Sequence, residues 1–294
     1  MFCVELLTIR LASLVVIGLV YMVFDIFNKR NIPLWFAYPA LAYAALLTVL
    51  YFNVNLIGIS AAIAAVVLAL GYVVYRLGFL GGADVIELAT LSLILPFQKI
   101  PLLNSVNQIG MPFIISLFIA SGVSALILVP LYYLPKAKVG RMRIGREIPR
   151  SAVIKSISIG VIYAVFYMFL AFEIGVSVSG AIVLLAMVLG SIAIILFENP
   201  LTKCMIRTVD VSAIEEGDLI AMNMISQKDI EMLGKRIGSF GRLATSDLIK
   251  EMKRKKIRIK LPVYKKAVPL AAPIFIGIVI SILFGNIILF LLIP

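Results

Sequence analysis

Long apolar runs, each closed by a short polar break, recur along most of the chain. A helix that crosses a bilayer needs ~20 mostly apolar residues. On that measure the pattern predicts eight spans. They are Leu6–Phe27, Leu34–Phe52, Leu56–Tyr75, Asp84–Phe97, Met111–Leu134, Ile157–Ile174, Val176–Phe197 and Val268–Ile293. Two places are irregular. At ~1.5 Å per residue, Asp84–Phe97 covers ~21 Å of a hydrocarbon layer ~30 Å thick. The seventh run follows the sixth almost directly, so those two either both span or form a re-entrant pair. The expected number of spans is therefore six to eight.

One stretch, residues 198–267, breaks the apolar pattern. "VSAIEEGDLIAMNMI" reads as strand, turn and strand. "SQKDIEMLGKRIG" reads as a helix with Ser226 as N-cap, an acidic first turn and Gly238 as its stop. "SDLIKEMKRKK" reads as a second helix with Ser246 as N-cap and a basic last turn. A small α+β cytoplasmic subdomain is expected there. The chain divides into a membrane region at 1–135, a basic loop at 136–156, further membrane helices at 157–197, this subdomain, and a last membrane helix at 268–294. No internal repeat is visible, which disfavours an inverted-repeat transporter.

Composition fixes the class. Hydrophobic residues make up 62% and charged residues 14%, with mean hydropathy +1.11. Soluble domains carry about 25% charged residues. The fold class is an all-α polytopic membrane protein, and the apolar runs are too many for one cleaved signal peptide. The net charge of +12 lies in alternate loops. All of the 27 basic residues except Arg10 and Lys99 fall on one side if every predicted helix spans. That bias marks the cytoplasmic side and puts both termini outside. The run "KRKKIRIK" is expected to face lipid headgroups. Membrane lipid is thus an expected partner, and nucleic acid is not. The chain has no histidine, and its two cysteines, Cys3 and Cys204, form no CxxC pair. A thiolate or imidazole zinc site, a Ser-His triad and a haem site are not expected on these grounds, nor is any cofactor or metal.

Two carboxylates remain at the edges of apolar runs. Asp25 ends the first run, one turn before Lys29. Asp84 opens the fourth, after "LGG". On the predicted topology they share a membrane face and a depth. Gly81 and Gly82 would tolerate unusual dihedrals and let a substrate backbone approach. Each aspartate also has a bland reading: Asp84 as the cap of its helix, Asp25 as a headgroup-level partner of Lys29 or Arg30. Ionisable groups in membrane segments are costly and tend to be functional. Two carboxyls across a water are the machinery of aspartic proteolysis. One takes a proton from the attacking water and the other polarises the amide carbonyl, the pair titrating as a unit.

At these residues the chain resembles the archaeal prepilin and preflagellin peptidases, the histidine-free branch of the type IV prepilin peptidase family. The matching features are Asp25 followed by "NKRNIP", with Asn31, Ile32 and Pro33, and the turn Gly81, Gly82, Ala83 before Asp84. The likeness covers the first hundred residues and returns in "EEGDLI" and "KLPVYKKAVPLAAPIFIGIVI". It implies an aspartic endopeptidase of the cell membrane with Asp25 and Asp84 catalytic. Asn31 to Pro33 and Gly81 to Ala83 would form hinges around the substrate. Such an enzyme removes the short basic leader of pilin-like or archaellin-like precursors at the cytoplasmic face. The chain departs from the family at Ala83, a glycine in the strict motif, and at Ile86, often a lysine. Glu87 follows on the Asp84 face of the helix; it either raises the pair's pKa or points to solvent, and the second is the expectation. A presenilin or signal-peptide-peptidase-like protease is the alternative enzyme, with "PLAAP" a loose match to its motif. A proton- or ion-coupled transporter using Asp25 and Asp84 and a non-catalytic assembly scaffold are the alternatives from other classes.

Overall fold

The computed structural model describes residues 2–28, 32–51, 54–77, 80–97, 112–139, 148–173, 178–237, 241–255, 257, 259–264 and 270–285. Its elements are helices α1 (Phe2–Phe27), α2 (Leu34–Tyr51), α3 (Val54–Arg76), α4 (Gly82–Ile94), α5 (Phe113–Val139), α6 (Arg150–Glu173), α7 (Val178–Leu196) and α8 (Glu198–Met205). They continue with strand β1 (Arg207–Asp210), helices α9 (Gln227–Ile237) and α10 (Ser246–Arg254), strand β2 (Lys260–Val263) and helix α11 (Ala271–Phe284).

Among the described residues, four helices are long and apolar enough to cross a membrane: those within α1, α3, α5 and α6. A fifth is added if α7 and α8, bent by 71° at their junction, count as one span. This is compatible with an all-α membrane protein and corrects the expectation of eight spans. The three shorter apolar helices explain the difference. α2 has 18 residues with Pro39 inside it, α4 has 13, and α11 has 14. At ~1.5 Å per residue α4 is only ~20 Å long. A short apolar run has the same composition whether it faces lipid or lies inside a helix bundle. α6 is a regular helix of 24 residues rather than half of a short re-entrant pair.

α4 lies within the bundle, packed against α1, α2, α3 and α5, and nearly all its residues from Asp84 to Ile94 are buried. Its deep end is finished by protein groups, as backbone away from water requires. The Thr48 hydroxyl reaches the carbonyls of both Ala44 (2.8 Å) and Leu93 (3.0 Å). Pro96 cannot continue the helix, and its carbonyl accepts the Phe113 N–H at 2.9 Å, tying α4 to α5. Arg10, buried on α1, donates to the Leu47 carbonyl at 3.3 Å.

Glycines set how closely the helices approach, as is usual in membrane bundles. A Cβ on Gly71 of α3 would stand 2.5 Å from Val85 of α4. One on Gly18 of α1 would strike Ile278 of α11, and one on Gly277 of α11 would strike Ser121 of α5. α11 is thereby wedged against both α1 and α5.

A separate α+β unit follows α8. β1 and β2 pair antiparallel, with Arg207 opposite Val263 and Asp210 opposite Lys260. α9 and α10 close over them around a core that includes Leu233, Met252, Leu261 and Val263. The expected strand–turn–strand at 211–225 is not formed. That stretch holds two short 3-10 turns, Val211–Ala213 and Met222–Met224, and bridges at Leu219–Leu243 and Ile220–Val263. The partner strand comes instead from Lys260–Val263. Ser226 caps α9, its hydroxyl accepting the Asp229 N–H at 3.2 Å and donating to Asp229 at 2.7 Å. Gly238 lies outside the described residues. α10 is capped by Thr245, which accepts the Leu248 N–H at 3.3 Å, so the expected cap at Ser246 moves back by one residue.

Candidate active site

Asp25 sits in the last turn of α1, and Asp84 in the first turn of α4. α1 and α4 pack together, and the two carboxyls lie within coulombic range of each other. Both are nearly closed to solvent, at 5% and 8% exposure. Each accepts one backbone N–H. Asp25 Oδ2 takes that of Ala271 at 3.0 Å, at the first turn of α11. Asp84 Oδ2 takes that of Gly81 at 2.9 Å, reaching back to the N-cap of its own helix. In each case an acidic group meets the positive end of a helix dipole. Asp84 therefore does cap α4, from the third helical position, while lying within coulombic range of Asp25.

The glycine turn works differently from expectation. Gly81 has φ −76° and ψ 151°, ordinary extended backbone, and Gly82 is simply the first residue of α4. Among the described residues, only Gly217 and Gly285 have positive φ. What Gly81 gives is space for the carboxylate: a Cβ there would stand 2.9 Å from Asp84 Oδ2 and make it shift. Gly82 has room, with the Tyr75 ring 3.7 Å from where its Cβ would be. Ala83 packs half-buried against the membrane core. On the other side, Ile32 is buried in that core, and the Pro33 carbonyl accepts the N–H groups of Phe36 (2.9 Å) and Ala37 (3.1 Å) to start α2. Asn31, Lys29 and Arg30 lie outside the described residues, and so does the expected pairing of Asp25 with either cation.

Glu87 overturns its expectation. It is fully buried rather than solvent-facing, because α4 is enclosed by its neighbours and has no solvent side at that turn. Glu87 lies within coulombic range of both Asp84 and Asp25. Neither of its carboxyl oxygens has a hydrogen-bond partner among the described residues. Tyr21, one turn before Asp25, is also fully buried. Its hydroxyl is close to Glu87, Asp84 and Thr90 without closing a hydrogen bond of normal geometry. Thr90 donates to the Ile86 carbonyl at 2.7 Å. Tyr21, Phe24, Trp35 and Phe36 pack with centroids 5.1–6.3 Å apart, edge to face except for the tilted Phe24–Phe36 pair.

The site is thus built from Tyr21 and Asp25 on α1, Asp84, Glu87 and Thr90 on α4, and the first N–H of α11. Helical spacing carried a signal for the side chains: Tyr21 precedes Asp25 by four, and Glu87 and Thr90 follow Asp84 by three and six. The α11 contact had none, since any residue but proline supplies an N–H. Among the described residues, no group of three or more His, Cys, Asp or Glu has metal-binding geometry. Chemically, two buried carboxyls within coulombic range of each other are groups that, brought to either side of a water, can activate it and polarise a carbonyl. No family model, curated protein or solved structure matches the chain.

Proposed function

We propose that this chain is a multi-pass aspartic endopeptidase of the cell membrane. Its substrates are pilin-like or archaellin-like precursors, from which it cuts the short basic leader at the cytoplasmic face. One observation carries the reading: Asp25 and Asp84, 59 positions apart in sequence, are buried together where α1, α4 and α11 meet. The motif context of both residues supports it, as does the basic-loop bias for the cytoplasmic side. In the mechanism, one aspartate holds the pair's proton and polarises the scissile carbonyl. The other takes a proton from water as it attacks. The first aspartate's proton moves to the carbonyl oxygen, and the proton taken from water then goes to the leaving amine.

The test uses the full chain in lipid vesicles and a synthetic precursor with a short basic leader joined to an apolar helix. The wild type is expected to release the leader. Asp25→Asn and Asp84→Asn keep the side-chain shape but cannot relay a proton, and each should lose at least ~10²-fold in rate. Near-normal cleavage by either variant would falsify the dyad. The buried Glu87 favours a second reading, a proton-coupled carrier, because carriers string carboxyls through their helices. That reading requires proton-driven solute movement by vesicles that cleave no precursor.

A further inference from the structure

Glu87 is a buried titratable group that the dyad mechanism leaves unused. Its burial is complete, and among the described residues Glu87 receives no hydrogen bond, whereas Asp25 and Asp84 each receive a backbone N–H. An ionised carboxylate in such a place costs several kcal/mol. Among the described residues, the charged or titratable groups within its coulombic range deepen that cost: Asp84 on its own helix, with Asp25 and Tyr21 from α1, are acids or a phenol, and none of these is a cation. A carboxyl that is neutral, by contrast, carries an O–H whose natural acceptors are the neighbouring carboxylates.

We propose that Glu87 is the third acid of the site, a neutral carboxylic acid that orients Asp84 and stabilises the charged form of the pair by hydrogen bonding. It acts through Asp84, so it is a positioning residue. This rests on the endopeptidase reading and deepens it. The same logic explains why burying three acids together is tolerable: one negative charge is spread over a cluster whose other members are donors. It also assigns Tyr21 a share, since its hydroxyl is buried within coulombic range of Glu87 and Asp84.

Two measurements test it on the full chain in vesicles. The first is infrared spectroscopy at neutral pH, comparing wild type with Glu87→Gln. A component of the protonated-carboxylic-acid carbonyl band, beyond that of the aspartate pair's own proton, is expected to be lost in Glu87→Gln. Identical spectra would overturn the proposal whether or not the chain is a protease. The second is cleavage of the synthetic precursor. Glu87→Gln, which keeps a neutral donor, should stay within about threefold of wild type in kcat. Glu87→Leu should lose about tenfold or more in kcat with KM little changed, the factor that ~1.4 kcal/mol of lost transition-state stabilisation gives. If the Leu variant matches wild type, or the Gln variant is as slow as Leu, the positioning role is wrong. If Glu87→Leu does not fold, the Gln variant and the infrared band still decide. If the wild type cleaves nothing while the band is present, the endopeptidase reading fails and the neutral acid stands.

Discussion

Gly81→Ala separates two explanations of the diglycine turn. Were Gly81 needed for an unusual backbone conformation, alanine would strain the chain. At φ −76° and ψ 151° it does not; alanine adopts that conformation freely. The new methyl instead arrives 2.9 Å from Asp84 Oδ2. The carboxylate is the movable end of a side chain, so it rotates away. In doing so it gives up the Gly81 N–H bond of 2.9 Å. A hydrogen bond to a charged group is worth about 1.5–3 kcal/mol. If all of it serves to hold Asp84 in its catalytic position, kcat/KM falls by ~10- to ~150-fold. Stability should fall by less than the bond is worth, because alanine restricts the unfolded chain by about 0.4–1 kcal/mol and so offsets part of the loss. Gly82→Ala is the matched control: its methyl meets only the Tyr75 ring at 3.7 Å, an ordinary contact. The assay is kcat/KM on the synthetic precursor in vesicles, with thermal unfolding of both variants alongside. Gly81→Ala cleaving as fast as Gly82→Ala would refute the reasoning. So would an equal loss in both, which would mean that the turn as a whole, and not the Asp84 carboxylate, is what the methyl disturbs.

Other outcomes follow from the packing and the site. Gly277→Val pushes a side chain against the Ser121 backbone N (2.8 Å) and Cα (3.0 Å), which cannot swing aside. It should cost about 1–3 kcal/mol and lower Tm, whereas Gly58→Ala, with open space around its Cβ, should not; a Tm as high in Gly277→Val as in Gly58→Ala would contradict the α5–α11 contact. Cysteines at positions 25 and 84, in a chain whose Cys3 and Cys204 are replaced by serine, should cross-link through a short bifunctional reagent. Failure with every spacer length, with or without precursor, would mean that the two positions never share a site. Thr245→Ala should destabilise the α+β unit by ~1 kcal/mol through its lost cap, while Ser246→Ala should be close to neutral; the reverse order in urea unfolding would restore Ser246 as the cap.

Much of this protein was legible in the sequence because the bilayer allows few solutions. A chain this apolar must satisfy its backbone within helices, so the helical class and the apolar character of α1, α3, α5 and α6 follow from composition and period. The two aspartates stood out for the same reason, as charges at the edges of apolar runs. Capping chemistry is local, and Ser226 at the start of α9 could be read from its neighbours. Tertiary structure decided what depends on who sits beside whom. It made α4 a helix inside the bundle rather than a span, which sequence cannot separate because lipid and protein interior are equally apolar. It paired β1 with β2 across more than fifty positions, where local alternation suggested a hairpin. It turned Glu87 from an expected surface residue into a fully enclosed one, since the enclosure comes from the surrounding helices. It also brought the N–H of Ala271 to Asp25 across 246 positions, a contact made by backbone, which every residue but proline carries and no sequence pattern marks.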